Sequence, residues 1–116
     1  MIPDLALYAA FMDSMKNPFL FVDTDHIIRY MNRAARAHYA AGEKLLGRSI
    51  LACHNEDSQR QIVEIYEKMK DGLEEQLITD NARHQIYMRA VRDQSGNLLG
   101  YYERYEPPRQ RDEKDR

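Results

Sequence analysis

The chain has 116 residues, enough for one hydrophobic core and too few for two domains. Hydrophobic residues make up 43% and charged residues 31%, the balance of an ordinary folded domain rather than a disordered or membrane-spanning chain. A net charge of -2, with arginines interleaved among acids, gives no basic face for nucleic acid, and the lone Cys53 rules out an internal disulfide. The opening residues lack the basic start and apolar block of a secretion signal. A cytoplasmic domain without nucleic-acid or membrane contacts is expected.

Taken in chain order, residues 2–15 read as a helix. Ile2, Leu5, Ala9 and Met12 form one apolar row, and Leu7, Phe11 and Met15 form a second. One row suffices to dock the helix, so the second predicts a partner, and Leu5, Leu7, Phe11 and Met12 are assigned to a homodimer contact. The competing expectation is a monomer whose helix lies over Tyr87, Val91 and Tyr102. Asn17-Pro18 ends the helix. Phe19–Val22 and His26–Met31 are rich in strand formers around the turn Asp23-Thr24-Asp25 and predict a hairpin. Asn32 caps a short helix, Arg33–Tyr39, which Ala41-Gly42 breaks, and Gly47–His54 is a compact stretch.

Ser58 and Gln61 have capping-box spacing for a longer helix, whose buried face is Ile62, Ile65, Tyr66 and Met69 and whose end is Gly72. The period then shortens to that of strands: Leu73–Thr79, His84–Arg92 and Asn97–Tyr105, the last two joined by the turn Asp93-Gln94-Ser95-Gly96. From Glu106 the chain is polar and proline-bearing and reads as a linker. Hence the expected organisation is a cap and dimer helix at 1–16, a domain at 17–106 and a charged tail at 107–116. Two strands at one end and three at the other, with helices between, make an α+β domain whose five strands close into one antiparallel sheet.

Three segments resemble the PAS family in order and spacing: "NPFLFVDTDHIIRYMNRAA" as its opening hairpin and cap, "LLGRSILACHN" as its Gly-Arg segment, and "IYMRAVRDQSGNLLG" as its closing hairpin. Cys53-His54 and "RAVRDQSGNLLGYYE" look most like a bacterial branch found beside hemerythrin-like domains. The resemblance implies strand order 2-1-5-4-3, helices on one face, and a sensory role in which ligand or partner binding biases a neighbouring effector domain.

It also implies a pocket on the concave face. Strand parity places Ile86, Met88 and Ala90 on one side of their strand and Leu99, Tyr101, Glu103 and Tyr105 on one side of the last. The ligand-pocket candidates are therefore Ile50, His54, Ile86, Met88, Ala90, Tyr101 and Glu103. An inward Glu103 needs a partner or shifts its pKa upward, and it suits a cationic or hydroxylated ligand. The alternative is a surface carboxylate paired with Arg89 or Arg104. Light-sensing relatives carry their flavin-reactive cysteine three residues after the glycine, where this chain has Ile50, so flavin chemistry is disfavoured. Haem is the leading named cofactor, with His54 as the ligand, although oxygen-sensing relatives place theirs near Gln61 or Ile62. The plainer reading of His54 is a histidine bonding backbone at a helix start. Cys53 is expected as a small buried hydrophobe, and His26 and His38 as surface residues. No catalytic motif is present, so a non-enzyme is expected; a small α+β pocket enzyme is the remaining alternative.

Overall fold

The structure is a computed structural model that describes residues 4–108. Helix α1, Leu5–Asp13, begins at the cap Asp4, whose carboxylate accepts from the Leu7 amide. Ile2 and the tail from residue 109 lie outside the described residues. Strands β1 (Phe19–Asp23) and β2 (Ile28–Met31) follow, then helix α2 (Arg33–His38) and two 3-10 turns at Gly42–Leu45 and Ile50–Cys53. Helix α3 (Glu56–Lys70) leads into β3 (Glu75–Asp80), β4 (Gln85–Arg92) and β5 (Leu98–Glu106). The five strands form one antiparallel sheet in the order β2-β1-β5-β4-β3, as expected.

The N-cap of α3 differs from the expectation. Asn55, not Ser58, is the cap, and its side chain accepts from the Ser58 amide. Ser58 therefore sits in the first turn as the recipient of the cap, and Gln61 closes no capping box. Glu56 and Asp57 fill that turn and Lys68 and Lys70 the last, each complementing the helix dipole. The helix ends in a Schellman motif: Gly72 N–H donates to Met69 C=O and Leu73 N–H to Lys68 C=O, with Gly72 at φ 111°. Ile62, Ile65, Tyr66 and Met69 are buried against the sheet, and each such side chain contributes about 1.5–3 kcal/mol.

Asn32 ties the start of the sheet to the helices. It is fully buried; its side-chain oxygen accepts from Phe19 N–H and Ala35 N–H, and its amide donates to Asn17 C=O. The Asn32 side chain and the Ala35 amide would otherwise be buried without partners.

Helix α1 stands outside the core. None of its residues is buried, and Leu5 and Phe11 are 86% and 62% exposed. Its C-terminal half is moored by Asp13, which accepts from the Tyr30 hydroxyl and the Arg33 amide. Tyr8, Phe11, Met12 and Met15 overhang the outer sheet face at Phe19, Phe21, Val91 and Tyr102, enclosing a groove of about 970 Å³.

Candidate functional site

The two sides of the sheet carry different chemistry. On the outer side Glu75 pairs with Arg89 and Arg104, and Arg104 lies over the Tyr87 ring at 4.3 Å. Those arginines are therefore committed to Glu75, and neither reaches Glu103. The Arg104 guanidinium holds the Glu75 carboxyl below the usual carboxylate range despite partial desolvation.

On the inner side the alternation of β5 sends Tyr101, Glu103 and Tyr105 toward the helices. Glu103 lies opposite Leu20 of β1 and Met88 of β4, so apolar side chains flank it on both sides. It is 4% exposed, and its Oε1 has no hydrogen-bond partner. Burial raises its pKa from 4.5 to about 7, because the charged form has lost its water without gaining a donor.

Tyrosines surround this acid. The Tyr39 and Tyr105 hydroxyls share a 2.6 Å hydrogen bond. Burial first, and then the charge of Glu103 among other groups, raises the pKa values of Tyr39 and Tyr101; burial is likewise the main cause for Tyr105. The exposed His38 and half-buried His84 place their rings 4.9 Å from that of Tyr105, closer to the surface.

His26 is not a free surface residue. It occupies the β1–β2 turn at φ 63°, an uncommon backbone conformation for a non-glycine residue. Its Nδ1 shares a 2.8 Å hydrogen bond with the Tyr101 hydroxyl, and its ring meets Tyr66 edge-on at 4.9 Å. Burial lowers its pKa, favouring the neutral imidazole. Asp23 explains the turn: its Oδ1 accepts from the Asp25 and Ile27 amides, turning His26 inward.

The other candidates are placed as follows. Ile50, Met88, Ala90 and Tyr101 belong to the buried core, and Ile86 is half-buried on the same β4 face. His54 stands apart, with Nδ1 2.7 Å from the Ile50 carbonyl in the preceding turn. Cys53 is exposed, contrary to the expected burial, because the 3-10 turn directs Ile50 into the core and leaves its last residue outside. The His54 hydrogen bond leaves Nε2 free to ligate, yet haem does not fit these residues. A haem macrocycle would have to displace Ile50, Met69, Met88 and Tyr101, which pack between helices and sheet with at most 2% exposure each. Among the described residues, no group of three or more His, Cys, Asp or Glu is arranged to hold a metal ion.

Tyr105 shares the parity of Tyr101 and Glu103, so residue order groups the three on one side of β5, the side that the fold turns inward. Tyr39 follows a short helix where periodicity says nothing, and His26 is hidden by turn chemistry that usually marks solvent exposure.

One antiparallel sheet in this strand order, with its helices on one face, defines the class of an α+β domain. The family model described as PAS domain matches residues 8–106, and the chain belongs to the PAS domain family. A domain from Streptococcus mutans, described as C-terminal, has a TM-score of 0.77 at 18% identity, over 90% of this chain and 85% of that one. A sensory box sensor histidine kinase from Vibrio cholerae gives 0.62 at 12% identity, over 90% and 92%. The Aer2 receptor from Vibrio cholerae, described as a dual PAS-heme oxygen sensor, gives 0.56 at 18%, over 80% and 95%. No curated protein matches the chain. Among the described residues no helix is long and apolar enough to cross a membrane.

Proposed function

We propose that this PAS domain is a cytoplasmic sensory module that binds a small ligand against the inner sheet face and relays the change through a homodimer. The observation that carries the ligand reading is the buried Glu103 Oε1 without a partner. Such a group costs stability in the empty protein, and a ligand donor offsets that cost. Leu20, Ile86, Met88, Ala90 and Tyr101 supply apolar surroundings, with Glu103 as the recognition group.

The relay has a physical route. β5 carries Glu103 inward and Tyr102 outward, and Tyr102 lines the groove under α1. A ligand that displaces β5 thus changes the surface on which α1 rests. The exposed Leu5, Leu7 and Phe11 of that helix, with the half-buried Met12, form the proposed contact between two copies. Within the family we assign the chain to the bacterial branch found beside hemerythrin-like domains, on Cys53-His54 and the run from Arg89 to Glu103.

Light scattering tests the relay surface. The intact chain is expected to be dimeric at tens of micromolar, and Leu5→Glu/Phe11→Glu monomeric with unchanged circular dichroism. A monomeric intact chain removes the dimer. Saturation-transfer NMR against a mixed library of small metabolites tests the ligand reading. Bound compounds should be lost on Glu103→Met, and an empty screen contradicts the reading.

A further inference from the structure

The chemistry around Glu103 selects among ligand classes, an inference that rests on the inner face being a ligand site. The arginines of the sheet are engaged elsewhere. Arg89 and Arg104 pair with Glu75 across the sheet, and Arg92 pairs with Glu74 while donating to the Met69 and Leu73 carbonyls. Arg36, on α2, donates to the Met31 carbonyl and pairs with Asp13. These described cations do not neutralise the inner acid. Leu20 and Met88 beside it offer no hydrogen bond.

Tyrosines stand out among the other residues of this face. Tyr101 and Tyr105 share its strand face, Tyr39 closes on Tyr105 through the hydroxyl pair, and Tyr66 packs on Tyr101 with ring centroids 5.9 Å apart. One carboxylate in a cluster of tyrosine rings is complementary to an organic cation. The rings attract positive charge through their quadrupoles, and the carboxylate accepts a charge-assisted hydrogen bond. Once the acid is ionised, a carboxylate ligand would meet a like charge, and an uncharged one would leave the Glu103 charge buried and uncompensated.

We infer that the inner face binds a small organic ammonium compound whose N–H donates to Glu103 Oε1, entering past the Tyr39–Tyr105 hydroxyl pair beneath His38 and His84. Parting that pair separates two hydroxyls which then hydrogen-bond water or the ligand, so the opening is inexpensive. An internal water is the competing occupant of Glu103, and it would show no preference among added compounds.

The test titrates the full chain with n-butylammonium, n-butanol and butyrate, three probes of similar size and different charge, followed by NMR at Tyr39, Tyr101 and Tyr105. Butylammonium is expected to shift these resonances and to bind about tenfold or more tighter than butanol, the advantage of one charge-assisted contact. Its affinity should rise about tenfold between about pH 6 and about pH 8 as the acid ionises. Glu103→Gln keeps the shape of the side chain and should remove both the preference and that rise. Any part due to His38 or His84 persists in the variant, which isolates the contribution of the acid. Should the variant fail to fold, the probe ranking and pH profile of the unmodified chain still decide. Equal or tighter binding of butanol or butyrate at the same tyrosines overturns the ammonium assignment and leaves a ligand site standing. Butylammonium binding that is pH-independent in the unmodified chain also overturns it. No shift with any probe overturns the assignment and the ligand reading together.

Discussion

Two glutamates on opposite faces of one sheet behave in opposite ways. Glu75, on the outer face, has two arginines and a lowered pKa; Glu103, on the inner face, has no partner at Oε1 and a pKa raised to about 7. Both belong to the same sheet, so sequence distance and strand type do not separate them. What differs is whether the fold supplies a compensating charge. On the outer face the carboxylate already has its guanidinium partners. The inner face holds a destabilised group in a packed core, and such groups concentrate at functional sites.

The seam between β1 and β5 carries both faces, and breaking it should produce the largest effect. A Cβ added at Gly100 would lie 2.1 Å from the Val22 carbonyl oxygen, at a backbone φ of 148°. Gly100→Ala should therefore destabilise the protein by about 3 kcal/mol or more, measured by urea denaturation. Wild-type stability in that variant would mean that the two strands are not so closely apposed.

Removing the inner charge comes next and should be favourable. Between 4.5 and about 7 the folded protein binds a proton at Glu103 that the unfolded chain has released. The sign follows: this group's contribution declines as pH rises through that window and stays at its minimum above it. The cost of the charge at about pH 8 is about 3 kcal/mol, the free-energy equivalent of that shift. Glu103→Met, beside Leu20 and Met88, should stabilise the protein by about 1–3 kcal/mol at about pH 8 and change little at about pH 4. Parallel pH profiles of melting temperature for the two proteins would contradict this.

The outer acid should respond in the opposite direction and by less. Its pairs are partly solvated, with Arg89 43% exposed at the side chain, so Glu75→Gln should cost about 1 kcal/mol or less. Because its folded pKa lies below 4.5, that stability is present above 4.5 and lost as pH falls through the folded value. A chemical denaturation series on both variants across pH compares the two faces directly.

Much of this was legible from residue order. Period changes located α3 and the last three strands, and the buried row Ile62, Ile65, Tyr66 and Met69 was visible as spacing. Parity placed Met88 toward the helices and grouped Glu103 with Tyr101 on one side of β5, but left open whether that side was inner or a surface paired with Arg89 or Arg104. The choice of partner was another matter. Arg89 and Arg104 are near Glu103 in sequence or pairing, yet alternation sends them through the sheet to Glu75, which lies in the weakest of the predicted strands. His26 and Tyr39 were hidden for a related reason. Their roles come from contacts with Tyr101 and Tyr105, 75 and 66 residues away, which local pattern does not encode. The cap of α3 was misplaced because Asn55 and Ser58 are both good capping residues, and only backbone geometry at Asn55 distinguishes them.

The central claim is that Glu103 is a buried acid for which the protein supplies no compensating charge. Carbon-13 NMR of its side-chain carboxyl, followed through a pH titration of the free protein, measures this directly. The account predicts a midpoint near 7, well above the ordinary 4.5. A midpoint at or below 4.5 would show that the folded protein provides Glu103 with a partner, and would contradict the account.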